Sequence, residues 1–64
     1  MFNVWRVDVI DSTNGTNRII CERYFDGIET AEAFTSKINA FFDDPDSPHL
    51  RIFRIRATNP KKID

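Results

Sequence analysis

Cysteine is almost missing from this chain: Cys21 stands alone among 64 residues. A lone thiol closes no internal disulfide, so no covalent staple is available and a reducing, cytoplasmic setting is expected. Histidine is as scarce, with His49 the single instance. Zinc centres draw most of their ligands from these two residue types, so supply argues against one. Glycine is limited to Gly15 and Gly27, which leaves no glycine-rich loop to cradle a phosphate. No apolar run approaches the ~20 residues of a membrane span, and the first residues do not read as a signal peptide. An excess of one charge is missing too: nine basic residues face ten acidic ones, for a net charge of −1. Domains built on nucleic-acid binding usually carry a strong basic surplus.

Catalytic groupings are equally thin. Cys21 shares a strand face with apolar residues and reads as a structural thiol rather than a nucleophile. His49 follows Pro48 in a loop, with no serine or cysteine aimed at it as a nucleophile would be. Asp43, Asp44 and Asp46 lack the central glycine and later glutamate of a calcium-binding EF-hand loop, so they read as a solvated helix end. Asn14-Gly15-Thr16 matches a glycosylation triplet but reads as a turn. No enzyme activity, metal or cofactor is expected.

What remains is globular in composition, at 41% apolar and 30% charged. A chain of this size forms one domain and buries only about 60% of the surface its unfolded form exposes. The near-neutral total hides a polarity. Residues 1–25 balance, residues 26–48 carry −5, and residues 49–64 carry +4.

Hydrophobic periodicity lays out the elements. Residues 2–10, FNVWRVDVI, alternate, with Trp5, Val7 and Val9 on one face and Val4, Arg6, Asp8 and Ile10 on the other. Asn14-Gly15 tolerates positive φ and closes a tight hairpin. Residues 18–25, RIICERYF, return, with Ile19, Cys21 and Phe25 inward, interrupted by Arg23. Thr30 reads as a helix N-cap with Glu32 near the positive end of the helix dipole. Ala31, Phe34, Ile38, Phe41 and Phe42 form an apolar stripe. Pro45 and Pro48 end the helix. Residues 50–57, LRIFRIRA, read as a third strand with Phe53, Ile55 and Ala57 inward. Residues 59–64 read as a short flexible tail on a single domain spanning 1–58.

The expected fold is therefore α+β, with topology ββαβ. A three-stranded antiparallel sheet of order 2-1-3 carries one helix on one face. Period two then sends Arg54 and Arg56 to the uncovered face. Arg6, Glu22, Tyr24 and Ile52 join them there. Arginine and tyrosine are enriched where protein interfaces concentrate their energy, so these six residues are the candidate partner-binding set. The edge of the third strand offers a second docking mode by strand addition. Two other occupants compete. Arg54, Arg56, Lys61 and Lys62 could contact the phosphates of a nucleic acid, with Tyr24 stacking on a base. A second copy of the chain could bury Val4, Ile20 and Ile52 in a homodimer.

In layout the chain resembles the small proteins that phages encode to disable host machinery, such as the phage T7 type of RNA polymerase inhibitor and some anti-CRISPR proteins. The resemblance lies in the order of FNVWRVDVI, ETAEAF and FRIRATNP: a hairpin, an alanine-bearing helix after a threonine, then an arginine-bearing strand. It implies a non-enzymatic inhibitor or regulator in the host cytoplasm that works by occupying a protein surface. It assigns no residue a role.

Overall fold

A computed structural model describes residues 4–63. The expected beginning of the first strand at residues 2 and 3, and Asp64, lie outside the described residues. Strand β1 spans Val4–Asp11 and β2 spans Arg18–Phe25. Helix α1 follows at Ile28–Phe42, then the short strands β3 at Ile55–Ala57 and β4 at Lys61–Ile63. All pairings are antiparallel to β1, and the sheet order is β2-β1-β3. The α+β class and strand order follow the hydrophobic pattern. β3 and β4 lie end to end along one side of β1: Val9–Asp11 pair with β3, and Val4–Arg6 pair with β4.

The inward parity of β1 holds. Val7 is fully buried, and Val9, Ala31 and Ala57 complete the core. Trp5, Cys21, Phe25, Phe34, Ile38 and Ile55 pack around it, with the Phe25 and Phe34 ring centroids 5.3 Å apart. This core is small, and the molecule is thin and long, with extents of 43 × 25 × 12 Å.

Four details differ from the sequence reading, each for a local reason. The first is the helix start. Gly27, not Thr30, is the N-cap, and its carbonyl accepts the first helical bond from Ala31 N–H at 3.2 Å. Thr30 falls inside the first turn, because Asp26-Gly27 already releases the chain from β2.

The second is a bulge. The register runs Val9 opposite Cys21 and then Ile10 opposite Ile19, so Ile19 and Ile20 together oppose Ile10. The extra residue turns Ile19 from the expected core face to the bare one, where it is 57% exposed.

The third is the loss of most of the third strand. Pro48 opens a 3-10 helix, Pro48–Ile52, in which its fixed φ fits the first position and its missing N–H is not needed. Phe53 therefore stays outside the core, and only Ile55–Ala57 remain extended.

The fourth is the expected tail. Because β3 is short, the first half of β1 is left without a neighbour on that side, and Lys61–Ile63 fill the place as β4.

The hairpin connection keeps its turn chemistry within a longer loop. Asn14 and Gly15 both take positive φ, at 61° and 79°. Thr16 N–H reaches the Thr13 carbonyl across them at 3.4 Å. Asp11 Oδ1 accepts from Thr13 N–H at 2.9 Å. The Thr13 hydroxyl accepts from Arg54 N–H at 3.0 Å, which ties the loop to the approach to β3.

Candidate functional site

The helix packs more closely on β3 than on β1 or β2, and it leaves one sheet face bare. Register orders that face in rows. Tyr24, Arg6 and Lys61 lie side by side across β2, β1 and β4. Glu22 and Asp8 form the next row. Ile10 with Ile19 and Ile20 closes one end, and Val4 opposite Ile63 closes the other.

Arg6 is not a free cation here. Its Nε lies 3.0 Å from Asp8 Oδ1, and Nη1 lies 3.9 Å from Glu22 Oε2. Period two brings Arg6 and Asp8 to one face of one strand, and cross-strand pairing brings Glu22 beside them. The residue Asp8 is only 5% exposed although it belongs to the uncovered face. Arg6 Nε and Asp8 Oδ1 face each other without hydrogen-bond alignment, and neither has another partner among the described residues. The Asp8 backbone is held separately: its N–H donates to the Thr58 hydroxyl at 3.1 Å, and its carbonyl accepts from Thr58 N–H at 2.8 Å. The middle of the face is thus an internal ion network, and its exposed, unspent surface is Tyr24 at 58% with Ile19 and Ile20.

The other expected site residues lie elsewhere. Arg54 belongs to no strand; its carbonyl accepts from Ser12 N–H at 2.9 Å, and its side chain is exposed. Ile52 ends the 3-10 helix, 70% exposed, away from the strand rows. Arg56 keeps the expected parity opposite Ile10, but it lies on an edge strand and its guanidinium meets Asp43 at the helix end. Its Nη1 donates to both carboxylate oxygens of Asp43, at 3.0 and 2.9 Å. Lys61 shares the row of Arg6, while Lys62 sits opposite Trp5 with the other parity. Lys61 and Arg56 are thus separated by four residues along β1, about 13 Å at ~3.3 Å per residue. The four basic residues expected to act together on nucleic acid do not form one patch.

A second locus emerges instead. Phe42, Asp43, Arg51, Phe53, Arg54 and Arg56 line an open groove of about 520 Å³ where the end of α1 meets the 3-10 helix. The groove was not legible as such because Pro48 creates the turn that brings Arg51 and Phe53 to Phe42.

The outer backbone of β3 is partly taken up by the helix. The Ala57 backbone on the outer side of β3 is already satisfied by a helix side chain. Ala57 N–H donates to Asn39 Oδ1 at 2.8 Å, and Asn39 Nδ2 donates to the Ala57 carbonyl at 3.2 Å. Thr35 Oγ1 adds a donor 3.1 Å from the Thr58 carbonyl and equally far from Ala31 O, its one hydrogen serving one at a time. These two polar residues interrupt the apolar stripe for that purpose, and Phe41 is left outside it. Strand addition at the third strand would therefore meet an edge already occupied at Ala57. On the opposite edge, β2 carries the bulge and places Arg23 on the helix-side parity opposite Val7. Bulges and inward-pointing charges are two devices that keep edges from pairing.

Among the described residues no three His, Cys, Asp or Glu side chains gather as metal ligands, and no helix is long and apolar enough to cross a membrane. No family model matches the chain, and neither a curated protein nor a solved structure does.

Proposed function

We propose that this chain is a small non-enzymatic inhibitor or regulator, phage-encoded and acting in the host cytoplasm, that occupies a surface of a host protein or complex. The observation that carries the reading is the bare sheet face, where Tyr24 and Ile19 are each more than half exposed beside an internally paired Arg6–Asp8–Glu22 network. Ile19 and Ile20 are adjacent, Tyr24 lies four residues along β2 from Ile20, and large apolar side chains left exposed on one face mark surfaces where something docks. Tyrosine adds an amphipathic anchor that loses little side-chain entropy on binding. The ion network holds Arg6 in place, so it shapes the face rather than reaching for the partner. The mechanism is steric: a thin sheet covers the target's surface, and no bond is made or broken.

The test compares immobilised wild-type protein with immobilised Ile20→Glu and Tyr24→Ala variants, each shown to be folded, in nuclease-treated bacterial lysate. One protein retained in stoichiometric amount by wild type and lost from both variants is the expected result. Equal retention by all three baits would reject the face as the docking surface. A second copy of the chain competes for the same face, and sedimentation at high concentration decides it: the reading requires a monomer.

A further inference from the structure

We infer that the groove between the end of α1 and the 3-10 helix is a second, independent binding site, and that its ligand is an unpaired nucleotide of single-stranded nucleic acid. Six residues line it: Phe42, Asp43, Arg51, Phe53, Arg54 and Arg56. All six end in planar groups, two phenyl rings, three guanidinium forks and one carboxylate. No aliphatic side chain is among them, as a groove made for an aliphatic peptide side chain would have. Bases stack on aromatic rings and on arginine planes, and this recognition suits single strands because their bases are free to splay out.

Charge divides the groove into roles. Arg51 and Arg54 are exposed and take part in no ion pair among the described residues, so they are free for phosphate oxygens, which their forks bind in bidentate fashion. Arg56 is different, being fixed against Asp43 through both carboxylate oxygens. Asp43 distinguishes a base from a bare anion. Its carboxylate, with Asp44 and Asp46 following it in the chain, repels acidic side chains and phosphates alike, so the phosphates belong on the Arg51 and Arg54 side of the groove. The same carboxylate has spare lone pairs and accepts from the exocyclic amine of a base, as acidic residues do with cytosine, a donor that an acidic side chain lacks. The volume of about 520 Å³ falls within the range of small-ligand sites.

The near-neutral net charge of −1 means there is no long-range attraction, so the site is local and weak. Two phosphate contacts on a single strand give a salt slope of about −1.4, or a loss of about sevenfold in affinity between about 50 and 200 mM salt.

The experiment is fluorescence anisotropy of a labelled oligo-dC of about ten nucleotides titrated with the full chain, with oligo-dT in parallel. The expected outcome is saturable binding to oligo-dC with a dissociation constant on the order of 10⁻⁴ M at low salt, near the range for contacts without sequence preference. Thymine has no exocyclic amine, so oligo-dT binds a few-fold more weakly, and Asp43→Asn narrows that gap. The double variant Arg51→Glu/Arg54→Glu abolishes binding, and Phe53→Ala weakens it about tenfold. All three side chains are exposed, so the variants fold, which circular dichroism checks. Lys61→Glu, on β4 and outside the groove, leaves binding unchanged. Absence of saturable binding overturns the inference, as does equal weakening by Lys61→Glu. A glutamate-rich peptide containing phenylalanine that competes as well as the oligonucleotide would overturn it in favour of an acidic-peptide surface. Equal affinity for the two oligonucleotides overturns the part given to Asp43. The groove variants lie off the bare sheet face that carries Ile20 and Tyr24, so their outcome is independent of the docking reading.

Discussion

Arg6 Nε and Asp8 Oδ1 stand 3.0 Å apart on the sheet face that the helix leaves bare, and Asp8 is nevertheless almost wholly buried. Glu22 lies opposite Asp8 in register, so two carboxylates share one arginine. Removing one member of a buried ion pair is costly because the other is left uncompensated. The Arg6 side chain is a third exposed, and water recovers part of that cost. Arg6→Ala is expected to destabilise the domain by about 1–3 kcal/mol. Asp8→Ala costs less in the Arg6→Ala background than in wild type. Urea unfolding of the four proteins of the double-mutant cycle measures this coupling, and additive losses would contradict the pairing.

Asn39 predicts a second effect. Its amide serves both the N–H and the carbonyl of Ala57, as a neighbouring strand would. Asn39→Ala should cost about 1–3 kcal/mol, since two partly buried backbone groups lose their partners. The same change uncovers the β3 edge. Amide exchange at Ala57 should quicken selectively, and association at high concentration should increase. Unchanged exchange at Ala57 would show that the edge is protected by something else.

Gly15 isolates a backbone effect. Its φ is +79°, and a Cβ added there would meet nothing within 4 Å. Gly15→Ala should therefore cost about 1 kcal/mol through the left-handed conformation alone, with no steric share. Thermal unfolding reads it. A loss of several kcal/mol would mean that the loop packs more tightly than its open surroundings show.

Acid stability should report on Asp11. The Thr13 side chain first, and the Thr13 N–H second, hold its carboxyl below the ordinary value of 3.8. A carboxyl with a depressed folded pKa stabilises the fold above its unfolded pKa, and that share is lost as pH falls through the folded value. The hairpin loop is expected to keep its full contribution above about pH 4 and to lose it below 3.8. Asp11→Asn should flatten stability against pH in that window. A variant with the wild-type acid profile would place the effect on another carboxylate.

The parts of the fold that were legible are those set by repeated side-chain patterns. Alternation around Val7 and Val9 fixes which face of β1 is inward, and the long central strand then organises everything else. The stripe Ala31–Phe34–Ile38 fixes the helix face. The illegible parts turn on single residues whose local geometry overrides composition. One extra residue in β2 carries Ile19 out of the core, and nothing in RIICERYF marks the slip. Pro48 converts half of a β-like run into a turn. Thr35 and Asn39 look like solvent residues but face β3, because the unpaired backbone there needs partners. Lys61–Ile63 pair only because β3 is short.

The candidate site was legible in part for the same reason. Parity placed Arg6, Glu22 and Tyr24 on one face, and they are neighbours there. Arg54 and Ile52 were assigned to that face by the part of the third strand that does not form. Asp8 could not be recognised as a buried partner from alternation alone, since period two gives a direction and not a depth.

The most direct measurement of the central claim is an amide spectrum of isotope-labelled protein recorded with and without the captured host protein. Perturbed signals concentrated at Ile10, Ile19, Ile20, Glu22 and Tyr24, with Glu32 and Ser36 on the exposed side of α1 unmoved, are the predicted result. Perturbations centred on the helix or on the Arg51–Arg54 groove, with the bare sheet face silent, would contradict it.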